Sequence, residues 1–164
     1  MKAELLRLAI LVGVAAATPV LAACDPAKPS LTPSSRYVVR GGEVYDTTTN
    51  LTWSRCSVGQ RWRDGKGCVG AVKQMVWTDA LKQAKGAWRM PTKDELVTLT
   101  SPSCRHPAVN DEVFPGMDEK KMAYWSGVDY GAHYAWAVHF ADYSNNYGYY
   151  GGRPLAVRLV RTGK

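Results

Sequence analysis

The sequence predicts an α+β domain stapled by disulfides. Three observations carry this. Strand-like runs come first, two helical segments follow, and alternating apolar runs return towards the C-terminus. A complete helix-start signature sits mid-chain at Thr92 and Glu95. Four cysteines, an even set, follow an apolar N-terminal leader.

Residues 1–23 read as a secretory signal. Lys2 and Arg7 make a basic start, and residues 8–23 form an apolar run that closes in small residues. Pro19 and the closing alanines argue against a retained membrane span, and no later stretch is long and apolar enough to cross a bilayer. Residues 24–36, rich in proline and serine, are an extended lead-in, tied down only if Cys24 is bridged. Residues 37–164 are the domain proper. The mature chain, about 140 residues, is long enough to bury roughly two thirds of its unfolded surface.

The first strand-like runs flank Gly41-Gly42, a hairpin turn. "DTTTN" makes a second turn before a strand over 51–55, on which Leu51 and Trp53 share a face. Cys56 and Cys68 enclose "SVGQRWRDGKG", where Gly59, Gly65 and Gly67 disfavour helix. A local disulfide is the economical reading there, contributing about 2–3 kcal/mol by restricting the unfolded chain. A metal site lacks a second Cys or His pair at finger spacing, and a redox pair would need Cys-x-x-Cys.

Thr78 is the expected N-cap of a first helix, "DALKQAK", that stops at Gly86. The second helix starts at Thr92 with Glu95 completing a capping box, and Leu96, Val97 and Leu99 give it an apolar face. After a loop-like stretch come three strands: residues 123–127, 134–140 and 155–160. In the second, Trp136, Val138 and Phe140 share one face, and Ala135, Ala137 and His139 the other. In the third, Leu155, Val157 and Leu159 alternate.

Between the last two strands lies "DYSNNYGYYGGRP", with four tyrosines, three glycines and no charge between Asp142 and Arg153. Strands tether it at both ends, so disorder throughout is excluded. Buried tyrosine hydroxyls need partners, so the composition is poor core material. Tyr, Asn, Ser and Gly are the residues of adaptable contact surfaces. The segment is either such a surface or an exposed strand whose tyrosines cover a sheet. Trp62, between two arginines in the glycine-rich loop, is either a contact residue or a clasp over the domain.

The formal charge of +7 falls to about +6 without the leader, with the cations scattered. This describes a solvated surface, or a preference for anionic partners. Nucleic acid is excluded as a partner of an exported chain without a recognisable nucleic-acid module. Processing at the leader has two readings. Ordinary signal peptidase would release the chain to the periplasm or outside the cell. "LAAC", ending at Cys24, would instead suit a lipoprotein anchored through that residue. Ser126, His133 and Asp129 can be written as a triad, but no nucleophile-elbow pattern surrounds Ser126. Asp111, Glu112, Asp118 and Glu119 have no recognisable cation-loop spacing. No enzymatic activity, cofactor or metal is expected.

The blocks "YDTTTNLTWSRC", "WTDAL", "WRMPTKDEL", "HPAVNDEVFP", "YWSG", "YAWAVHF" and "AVRLVR" occur in one order. In that order the chain resembles the Lcl C-terminal domain family, exported bacterial proteins named after a collagen-like adhesin, over nearly the whole mature chain. The resemblance implies a C-type-lectin-like fold, with two short helices and a twisted antiparallel sheet, and ligands met by the later loops and strands. It also implies the pairing Cys56–Cys68 and Cys24–Cys104, which weakens the lipoprotein reading. The family's fold is shared with formylglycine-generating enzymes, but no cysteine follows Cys104 to form their late pair. The acidic motifs of calcium-dependent sugar binders are absent as well.

Together these point to an exported, non-enzymatic binding domain at the cell envelope or surface. The adhesin relative implies anionic or sulfated glycan as ligand, with Tyr143, Asn145, Asn146, Tyr147, Tyr149, Tyr150, Arg153 and Trp62 as contacts. The alternative is an assembly module whose tyrosine face packs on an envelope protein or on a second copy in a homo-oligomer.

Overall fold

The computed structural model describes residues 24–117, 121–143 and 146–164. The expected signal over residues 1–23 lies outside them, as do Asp118, Glu119 and Asn145. Among the described residues are nine short strands and two short helices. Strands β1 (Tyr37–Arg40), β2 (Glu43–Asp46), β3 (Leu51–Ser54) and β9 (Val160–Thr162) form an antiparallel sheet in that spatial order. Strands β4 (Arg61–Arg63) and β5 (Gly67–Val69) make a separate hairpin. Strands β6 (Ala123–Gly131), β7 (Tyr134–His139) and β8 (Asn146–Tyr150) make a three-stranded antiparallel sheet. Helices α1 (Trp77–Leu81) and α2 (Lys93–Val97) fall between the β5 and β6 strands in sequence. The order strands, helices, strands is the expected α+β arrangement.

Gly41 and Gly42 form the β1–β2 turn, with Arg40 paired to Glu43 and Gly41 at φ 55°. A side chain at Gly42 would approach Trp62 Cβ to 2.8 Å, so the turn is glycine for lack of room as well as for its backbone. The capping box forms as expected. Thr92 Oγ1 accepts from Glu95 N–H at 3.1 Å, and Glu95 Oε2 accepts from Thr92 N–H at 2.8 Å.

Two expectations need correction. The first helix runs from Trp77 to Leu81, and Thr78 does not cap it; Val76 precedes it without a side-chain cap bond. Trp77 takes over that work, because its N–H donates to Gly151 O and its indole to Ser126 O. The chain leaves the helix before Gly86, which at φ 59° turns it so that Lys85 pairs with Trp88. The last strand starts only at Val160; residues 155–159 are extended, held by isolated bridges from Leu155 to Met75 and from Ala156 to Tyr124. In β7 the alanine face is the buried one, while the other grades from exposed Tyr134 through half-buried Trp136 to buried Val138. Ala135 and Ala137 are fully buried against Trp125, whereas Trp136 is half-buried. Small side chains let the neighbouring tryptophan pack on that face.

The core has two parts. Trp53, Leu96, Leu99, Phe114, Tyr124, Val138 and Phe140 centre the first, between the four-stranded sheet, α2 and the start of the three-stranded sheet. Met75, Met90, Trp125, Ala135, Ala137 and Val157 centre the second. Two buried arginines lie beside the first. Arg55 donates to the carbonyls of Val113, Gly41 and Glu112, and Arg158 to those of Ser54 and Arg55 and to Ser57 Oγ. Burial lowers the pKa of both, and Arg158 lowers that of Arg55 further. Disulfides join Cys56 to Cys68 and Cys24 to Cys104, the pairing that the resemblance implies. The lead-in is docked as well as bridged: Leu31 N–H donates to Ser101 Oγ, and Asn110 Nδ2 to Thr32 O.

Arg36 and Asp46 form a buried two-pronged ion pair, in which Asp46 also accepts from Thr48 N–H and the Thr49 hydroxyl. Burial pulls the Asp46 carboxyl up, but the bonds from Arg36 and Thr49 and the charge of Arg36 outweigh it and hold its pKa below the usual range. Glu95 is likewise pulled up by burial and held below its usual range by Arg89 and Thr92. Both folded pKa values lie below the unfolded ones. The stability they contribute is therefore complete above about pH 4.5 and is lost as pH falls through the depressed folded values. Urea denaturation at stepped pH is expected to show a decline below about pH 4 that Asp46→Asn makes shallower. An equally steep decline in that variant removes Asp46 as a cause.

Candidate functional site

The three-stranded sheet sorts the expected contact residues by parity. Side chains alternate along a strand, and residues directly opposite across an antiparallel pair share a face. Tyr149 lies opposite Ala135 and Tyr147 opposite Ala137, on the face that Trp125 also occupies. Tyr150 lies opposite Tyr134, Gly148 opposite Trp136 and Asn146 opposite Val138, on the other face. The tyrosine segment therefore presents two surfaces rather than one. Tyr143, which precedes β8, is exposed.

On the first face the Tyr147 and Tyr149 rings meet edge to face at 6.3 Å, and Tyr149 stands perpendicular to the buried Trp125. The Arg153 guanidinium lies 5.6 Å from the Tyr149 ring centre. Beside them is a hollow of about 290 Å³ lined by Gln74, Lys121, His139, Tyr149 and Arg153 among others. Lys121 Nζ donates to Val72 O at its margin. The hollow has three cationic or protonatable side chains and no carboxylate among its described lining.

On the second face Tyr130 lies on Gly148, where a Cβ would come within 2.5 Å of its ring, and meets Trp136 edge to face at 4.5 Å. Lys93 of α2 sits 4.7 Å above the Trp136 ring. Tyr134 and Tyr150 pair at 5.9 Å. Beyond them, at the end of the sheet, a groove of about 380 Å³ runs between Trp77, Asp129, His133, Tyr134, Tyr150 and Gly151. The β6–β7 turn that borders it has Gly131 paired with Tyr134 around Ala132 and His133, both at positive φ, 45° and 72°. Histidine is among the residues enriched at such φ, but alanine is not, so the strain falls on Ala132.

Exposure confirms that the tyrosine rings are surface groups: Tyr147 is 53 % exposed, Tyr130 and Tyr150 54 %, Tyr134 and Tyr143 44 %. Tyr149 is half-buried, because its ring also covers Trp125. Trp62 is not brought to this sheet. It belongs to the β4–β5 hairpin, packs over Gly42, is stacked by Arg55 at 4.1 Å and donates from Nε1 to Asp64. It is a clasp on the β1–β2 turn. Of the notional triad, Ser126 is buried with its hydroxyl accepting from Val128 N–H, while Asp129 and His133 line the groove. Sequence reasoning left out Tyr130, Tyr134 and Trp77. Period-two alternation points to Tyr134, but Tyr130 and Trp77 reach the site through a hairpin register and a helix position that no local pattern encodes.

A family model described as the Lcl C-terminal domain matches residues 42–161, a span from the β1–β2 turn into β9. No curated protein and no solved structure matches the chain.

Proposed function

Since the chain belongs to the Lcl C-terminal domain family, we propose that it is an exported, non-enzymatic binding domain that takes anionic or sulfated glycan on the Tyr147–Tyr149–Arg153 face. The architecture is read as C-type-lectin-like, with the late strands as the recognition surface. The observation that carries the reading is the basic hollow beside two tyrosines, one more than half exposed and both anchored by a buried sheet. An aromatic ring offers a flat apolar surface to the hydrogens of a sugar face, and a guanidinium meets sulfate or carboxylate with paired hydrogen bonds. Two disulfides support an oxidising compartment, and hence export. The sulfur of Cys24 is engaged in one of them, and a thioether-linked lipid would need that same sulfur. Release is therefore favoured over lipid anchoring.

The test is binding to an array of sulfated and unsulfated glycans at two salt concentrations. Sulfated glycans are expected to bind, with a steep loss between about 50 and 200 mM salt, because the contact is between exposed charges. Tyr147→Ala and Arg153→Ala are each expected to weaken binding about tenfold, the equivalent of about 1.4 kcal/mol. Binding that ignores salt and both substitutions removes this ligand class and this face together.

A further inference from the structure

We infer that the groove at the end of the three-stranded sheet is a separate site for an organic ammonium group, such as a quaternary amine. It shares no lining residue with the basic hollow, and its chemistry is the reverse. The chain carries 21 lysines and arginines, yet none is among the residues that line this groove. Its carboxylate is Asp129, His133 is its one protonatable ring, and its aromatic walls are Trp77, Tyr134 and Tyr150.

Tyr134 and Tyr150 face one another across the strand pair and stand at 70°, as two walls meeting at a corner. Trp77 is fixed by its indole bond to Ser126 O and by its backbone bond to Gly151 O, so that wall is set before any ligand arrives. The ring faces carry a negative quadrupole, which attracts a cation and has little preference among neutral groups. The Asp129 carboxylate is held in place because Oδ1 accepts from Gly131 N–H within its own turn, leaving Oδ2 for a ligand. A quaternary ammonium needs no hydrogen-bond acceptors and is weakly hydrated, so rings and one carboxylate suffice to bind it. A sulfate or carboxylate would meet the like charge of Asp129 and no lysine or arginine. The volume of about 380 Å³ accommodates a small ligand of this class. The strained Ala132–His133 turn is what brings Asp129 and Tyr134 to the same end of the hairpin. Backbone strain held by surrounding structure commonly marks a functional position.

Isothermal titration and ligand-observed NMR of the folded domain decide this, with choline and its neutral isostere 3,3-dimethylbutan-1-ol as the probes. Choline is expected to bind at least about tenfold more tightly than the isostere. Asp129→Asn keeps an oxygen for Gly131 N–H and removes only the charge; it is expected to erase that preference while leaving the isostere's affinity unchanged. Tyr150→Ala is expected to weaken both probes. Equal affinity for the two probes in the unsubstituted protein overturns the inference. So does a preference that survives Asp129→Asn, or no choline binding up to about 50 mM, a range in which even weak single-group contacts register. Should Tyr150→Ala fail to fold, the Asp129→Asn comparison alone still decides. Because Tyr147 and Arg153 lie outside this groove, failure here leaves the glycan face standing, and failure there leaves the groove standing.

Discussion

Replacing Arg158 by methionine is expected to lower the unfolding free energy by about 3 kcal/mol, among the largest effects of any single side chain in the domain. Arg158 is 1 % exposed. It donates to Ser54 O at 2.7 Å, to Arg55 O and to Ser57 Oγ, and lies between the rings of Phe114 and Tyr124, 5.1 and 5.7 Å from their centres. Among the described residues no carboxylate pairs with it. Two effects compete on substitution. Methionine removes a buried charge whose desolvation is unfavourable, as the lowered pKa of Arg158 reflects. It also takes the donor from the part-buried Ser54 carbonyl and the buried Arg55 carbonyl, and a buried carbonyl left unpaired costs about 1–3 kcal/mol. The carbonyls win, because they belong to the chain between β3 and Cys56 and cannot turn to water without opening the core. Chemical denaturation of the two proteins measures the difference. A methionine variant as stable as the parent would show that the guanidinium is merely tolerated.

Breaking the Cys24–Cys104 bridge, by alanine at both positions, is expected to destabilise the domain by about 4 kcal/mol. That exceeds the about 3 kcal/mol expected for the local Cys56–Cys68 bridge. The order follows from loop length, since the two links close sequence separations of 80 and 12 residues. The longer link restricts far more of the unfolded chain. Native contacts moderate the effect without reversing it. The lead-in keeps its bonds from Leu31 to Ser101, from Asn110 to Thr32 and from Arg36 to Thr98. Denaturation of the two double-alanine proteins tests the order, and hydrogen exchange over residues 24–36 tests the cause. A larger loss from the local pair, with the lead-in still protected, would mean that native packing rather than chain entropy sets the value.

Much of the scaffold was legible because its signals are local. The Gly41-Gly42 turn, the Thr92–Glu95 box and the paired faces of Leu51 and Trp53 each need only a few neighbouring residues to be recognised. The first helix was misplaced because Thr78 is a good cap by type, while the helix start is secured by Trp77 bonding to Gly151, far along the chain. The burial of Arg55 and Arg158 is illegible in the sequence for the same reason. A buried arginine is betrayed only by the carbonyls around it, and those come from distant loops. In the tyrosine-rich segment Tyr143, Tyr147 and Tyr150 are exposed, as its composition implied. Its division into two faces depends on the β7–β8 register, which sets Tyr149 opposite Ala135 and Tyr150 opposite Tyr134. Alternation alone implied that split once the segment was taken as a strand. The sequence left that strand as one of two readings, and β8 over Asn146–Tyr150 bears it out.

The Cys24–Cys104 link also determines how the domain bears mechanical load. A pull applied at Cys24 itself passes through sulfur to Cys104, a fully buried residue between α2 and β6 in sequence. It bypasses the docked segment of residues 25–36, whose few hydrogen bonds would otherwise be peeled one at a time. The load is thus taken at a buried residue of the fold, and reductant would convert that grip into a loose handle.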